Sequence, residues 1–177
     1  MVLEALAAEA VLQRFSSLVR FPVEHPEFLP SLIPIFLGLV VIELYFGKYT
    51  FERLGWNSAV SNAVLLLATA LTLIIRLNLI GAPSGPRYLV AYGILVLATA
   101  MLLLNFYHIW PPQIAFSVSS GFVVYTLVYI TIATVYEQLP LDVNTVTAAA
   151  LLFVAFYVFF TLLQQLEDTV VPGRYRA

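Results

Sequence analysis

Residues 58–80 read SAVSNAVLLLATALTLIIRLNLI, and they carry no charge before Arg76. A membrane helix needs about 20 mostly apolar residues in a row. A soluble amphipathic helix would carry charged residues along one face, and this stretch has a single charge near its end. A spanning β-barrel would instead alternate polar and apolar positions in segments of about ten. The runs Leu65-Leu66-Leu67 and Met101-Leu102-Leu103-Leu104 are continuous, which selects helices. The bilayer is therefore the expected solvent.

Working outward, four more stretches have the same character: about 28–47, 88–107, 114–136 and 143–163. The last three hold no charged residue, whereas the first holds Glu43 together with Pro30, Pro34 and Gly38. Turn chemistry separates the spans. Gly81, Pro83, Gly85 and Pro86 divide the second from the third, Pro111-Pro112 the third from the fourth, and Pro140 the fourth from the fifth. Proline lacks a donor and clashes with the preceding turn, so it ends helices. The expected fold is an all-α integral membrane protein, a five-helix transmembrane bundle. Residues 28–168 form its single transmembrane domain, and 169–177 form a short tail.

Composition agrees. Of 177 residues only 10% are charged, against about 25% in a soluble domain. Apolar residues reach 62%, which a soluble core of this size cannot absorb. The net charge of −2 presents no basic face to nucleic acid. The absence of cysteine removes disulfides, thiolate metal sites and cysteine nucleophiles. Met1 to Ala8 lack the positive start of a secretory signal peptide.

Residues 1–27 read differently. Polar Glu9, Gln13, Ser16 and Arg20 recur on one face, and Val11, Leu12, Phe15, Leu18 and Val19 on another. This is an amphipathic helix too polar to span, followed by a proline-containing linker. Two placements are open. It lies in the membrane interface, or it packs on its own protein or a neighbouring subunit.

Five spans put the termini on opposite sides, here named A (N-terminal) and B. Counting basic residues on each side leans slightly to a cytoplasmic B side, with the N-terminus outside. Depth then groups the polar residues. Glu43, Asn62, Asn105 and His108 fall near the B end, joined by Ser119, Ser120, Gln164 and Gln165. Arg76, Glu137, Asn144 and Thr145 fall near the A end.

Ionisable groups in a span are costly and mark functional candidates. Glu43 is a candidate to hold a proton or a cation, with Asn62, Asn105 and His108 as hydrogen-bonding partners. Glu43 also stands about one turn from its helix end, within reach of headgroups, Lys48 or Arg53. Arg76 and Glu137 share a depth and are candidates for an intramembrane salt bridge, and Arg76 alone could snorkel to the interface. Glu24, Glu27 and Asp142 would make an acidic mouth on side A.

Enzyme signatures are missing. Ser119-Ser120-Gly121 lacks the glycine turn of an intramembrane serine protease, since Val118 stands at the first glycine position. There is no HExxH and no phosphate-binding glycine loop. No metal or cofactor is expected, and membrane lipids are the expected surroundings. Two functions follow from different classes. One is an oligomeric channel or transporter for protons or small cations. The other is a structural or accessory subunit of a larger membrane complex without catalytic activity.

Overall fold

The computed structural model describes residues 2–29, 32, 36, 39–40, 55–82 and 85–170. Among them are six α-helices and one short 3-10 turn, with no strand. The helices are α1 (Val2–Glu24), α2 (Trp56–Leu79), α3 (Pro86–Phe106), α4 (Pro112–Val118), α5 (Gly121–Tyr136) and α6 (Val143–Val170). The 3-10 turn is Pro26–Phe28.

Three helices are long and apolar enough to cross a membrane: α2, α3 and α6 over Val143–Leu163. The pair α4 and α5, bent by 40° at its break, makes up to four. The described residues thus carry three or four spans where composition predicts five. The expected span at 28–47 lies mostly outside them, with Glu43 and its possible partners Lys48 and Arg53.

α2 and α3 pack along stripes of small residues. α2 buries Ala59, Ala63, Leu66, Ala70, Leu73 and Leu77, alternating steps of four and three. α3 buries Ala91, Ala98, Met101 and Asn105. Alanine lets helix backbones approach, which suits packing where lipid offers no hydrophobic drive. Threonines on these apolar helices return their hydroxyls to the preceding turn: Thr69 donates to Leu65 O at 3.0 Å and Thr99 to Leu95 O at 2.7 Å.

α5 is the central helix. It buries Val124, Thr126, Val128, Tyr129, Thr131, Ala133, Thr134 and Val135, covering almost its whole circumference. A helix apolar all round belongs inside a bundle. At about 24 Å it is too short to cross a bilayer core of about 30 Å alone. Only together with the seven residues of α4 is it long and apolar enough for a span.

Three helix ends close the same way. The amide of the third residue past the end reaches five residues back, Ala82 to Leu77 O, Ile109 to Leu104 O and Leu139 to Thr134 O, all at 2.9–3.1 Å. The residue between must be left-handed, and the three are Gly81 (φ 60°), His108 (φ 53°) and Gln138 (φ 55°). Glycine takes this conformation freely, whereas a residue with a Cβ is strained there.

The two placements of α1 are resolved in part. Leu18 and Phe21 are fully buried against α5 and α6, in a cluster with Tyr129, Ala133, Ala148 and Leu152. The Tyr129 hydroxyl donates to Leu18 O at 2.6 Å. α1 therefore packs on its own chain, while Leu12, Val19 and Val23 face outward.

Candidate functional site

Two polar clusters stand at opposite ends of the described bundle. The B-end cluster is built around the break between α4 and α5. An unbroken helix would bond Val123 N to Ser119 O. Here both groups find other partners. Ser119 O accepts from Asn62 Nδ2 of α2 at 2.7 Å, and Val123 N donates to Ser120 Oγ at 3.4 Å. Backbone freed at membrane depth must be satisfied by the protein itself, and these side chains do so.

Asn105 of α3 completes the cluster. Both of its amide hydrogens are used, one on Ser119 Oγ at 2.8 Å and one on Ala59 O at 3.1 Å. Its Oδ1 accepts from Trp110 Nε1 at 2.7 Å. Asn105 and Ser119 are fully buried. Asn62 and Asn105 thus meet at one residue, Ser119. His108 is not part of this network. It is exposed, stacked on the Trp56 ring with centroids 4.0 Å apart.

The A-end cluster is ionic. Arg14 of α1 pairs with Asp142 and donates to Thr145 Oγ1 at 2.8 Å. Asp142 also caps α6, its Oδ1 accepting from Thr145 N at 2.9 Å. Eleven residues on, His25 Nδ1 lies 3.1 Å from Glu27 and Nε2 lies 3.4 Å from Glu137 Oε1. Arg14, Leu18, Phe21 and His25 fall at steps of four, three and four, so they share one helical stripe. α1 is a strap. Arg14 and His25 hold its two ends, and two buried apolar residues lie between.

Glu137 Oε1 is buried and accepts no hydrogen bond, with His25 Nε2 3.4 Å away. Burial pushes the Glu137 carboxyl above the ordinary range, His25 pulls it back, and Glu24 pushes it up again. Glu27 goes the other way, held low by its own backbone amide and by His25.

The expected Arg76–Glu137 salt bridge is absent among the described residues. Glu137 is turned to His25, and the Arg76 guanidinium lies 5.8 Å from the centroid of the Phe28 ring. Equal depth did not bring them together, because α1 and the 3-10 turn supply nearer partners. The acidic mouth is likewise engaged: Asp142 with Arg14, Glu27 and Glu137 with His25. Glu24 is exposed. Among the described residues, no three His, Cys, Asp or Glu side chains gather to hold a metal.

Comparison of the chain with protein-family models, with curated proteins and with solved structures finds no match.

Proposed function

We propose that this chain is a structural or accessory subunit of a larger membrane complex and carries no reaction of its own. One observation supports this reading above the others. The fully buried polar side chains at the B end, Asn105 and Ser119, spend their hydrogen bonds on each other, on Trp110 and on the helix break. A permeation path keeps polar groups free to exchange with the moving ion. Here they fix four helix segments together. The Arg14–Asp142 pair of the A end is similarly spent on fastening α1. The proposed orientation has the N-terminus outside and the C-terminus in the cytoplasm.

The experiment is a mass measurement on native membranes opened with a mild detergent. The reading expects the chain in a particle whose mass is not a multiple of 19.7 kDa, with fixed stoichiometry to other chains. A particle made solely of this chain contradicts it.

The transport reading keeps one specific observation, the broken span at Ser119–Ser120. Discontinuous helices line the substrate sites of many transporters. Proton or cation flux into liposomes carrying the purified chain is its test.

A further inference from the structure

A cavity of about 240 Å³ opens near the A end, between α2, α5, Phe28 of the 3-10 turn and Leu32. Its lining is mostly apolar, with Leu32, Ala68, Leu73 and Ile132, and it includes Arg76, Tyr136 and the two threonines Thr69 and Thr72, whose hydroxyls bond back to Leu65 O and Ala68 O. Arg76 is the only charged residue in α2, and it stands in the last turn. No carboxylate lies within ion-pair distance of it among the described residues. Its guanidinium rests over Phe28, and Phe28 in turn packs on Tyr136 with centroids 3.9 Å apart. Glu137, next in the chain to Tyr136, is turned away to His25.

A cation at the edge of an apolar hollow asks for an amphiphile with a negative end. Guanidinium matches phosphate through two parallel hydrogen bonds. The hollow is smaller than the roughly 300–1,000 Å³ of a pocket that encloses a whole ligand. It suits one end of a molecule whose remainder lies in the bilayer. Basic pockets between membrane helices bind lipid headgroups on this principle.

We infer that the cavity binds an anionic phospholipid of the A-side leaflet. Arg76 holds the phosphate, Tyr136 Oη donates to it, and Leu32, Leu73 and Ile132 cover the first methylenes of one acyl chain. This goes beyond the subunit reading and does not depend on it. A lone chain binds the lipid equally well.

The test uses the full chain, delipidated in a nonionic detergent, with dioleoyl phosphatidylglycerol, dioleoyl phosphatidylcholine and inorganic phosphate as separate probes. Native mass spectrometry counts bound lipid. The expected result is retention of one phosphatidylglycerol in preference to phosphatidylcholine, with inorganic phosphate failing to compete at millimolar concentration. Arg76→Gln should weaken phosphatidylglycerol about tenfold, the worth of one charge-assisted bond. Ala68→Leu fills the hollow while keeping the charge, and it should also lower retention. It serves where Arg76→Gln does not fold. Equal retention of the two lipids overturns the proposal, as does an unchanged preference in folded variants. Competition by inorganic phosphate makes this a soluble-anion site and overturns the lipid assignment.

Discussion

The two ends of the bundle solve the same problem with different chemistry. At the B end the polar groups are neutral, namely amides, a hydroxyl and an indole, and the central ones have no exposure to solvent. At the A end they are charged, with Arg14 18% and Asp142 40% exposed at their side chains. The difference follows from solvation. A neutral donor and acceptor can be buried together at little cost, because each replaces the other's water. A charge loses far more on burial, and its partner repays this only with good geometry. Neutral bonds therefore lock helices in the interior, and ion pairs fasten the strap where water reaches. The same contrast separates specificity from strength. The B-end cluster satisfies the break between α4 and α5, whereas the A-end contacts fasten a peripheral helix.

The largest expected effect is at the interior end. Asn105→Leu removes two donors and an acceptor, and it leaves Trp110 Nε1 and Ser119 Oγ without their partner. It should cost about 2–3 kcal/mol of stability. Unfolding in mixed detergent should show this loss unchanged between low and high salt, since no charge is involved. A strong salt dependence would erase the contrast between the ends.

The strap comes next. Asp142→Ala loses both the ion pair and the α6 cap, whereas Asp142→Asn keeps a cap and loses the charge. The alanine variant should cost about 1–2 kcal/mol and the asparagine variant about half of that. A double-mutant cycle with Arg14→Ala should give a coupling of about 0.5–1 kcal/mol that shrinks as salt is added. Equal losses for both substitutions would mean that the charge contributes nothing.

Gln138 offers a gain of similar size. Its left-handed conformation disfavours any side chain, so Gln138→Gly should stabilise by about 1 kcal/mol in thermal unfolding. His108 shares the conformation but stacks on Trp56, so His108→Gly should gain less.

The smallest effect is a pH dependence. The Glu137 carboxyl is raised in the folded chain, mainly by burial, so the folded state binds its proton more tightly than the unfolded state does. Its stabilising contribution is full below the unfolded carboxyl value of about 4.3 and is lost as pH rises through the folded value. Glu137→Gln should therefore gain on the wild type as pH rises from 4 to 8. Melting temperatures of the two proteins across that range check the sign. A wild-type advantage that grows with pH would mean that the His25 pair outweighs burial.

The regular helices were legible in the chain. α2, α3 and α6 begin within about two residues of the expected spans, because continuous apolar runs flanked by glycine and proline have one reading in a bilayer. The break inside the fourth span was not legible. Ser119 and Ser120 are tolerated within helices, and the groups that meet the break, Asn62 on the Ser119 carbonyl and Asn105 on its hydroxyl, come from two other helices. The partner of Glu137 was missed for a related reason. Depth alone favours Arg76, while His25 arrives just past the end of α1, a helix outside the candidate spans. A signal for it did exist. Arg14, Leu18, Phe21 and His25 form one stripe with a basic residue at each end, a pattern that asks for acidic partners on the surface beneath.

The central claim is that the polar side chains at the B end serve the fold and conduct nothing. Passive proton and cation flux into liposomes carrying the folded chain tests it most directly. The account predicts a leak equal to that of empty liposomes at every imposed gradient. A flux above that level, abolished by Glu43→Gln in a protein that still folds, would contradict it.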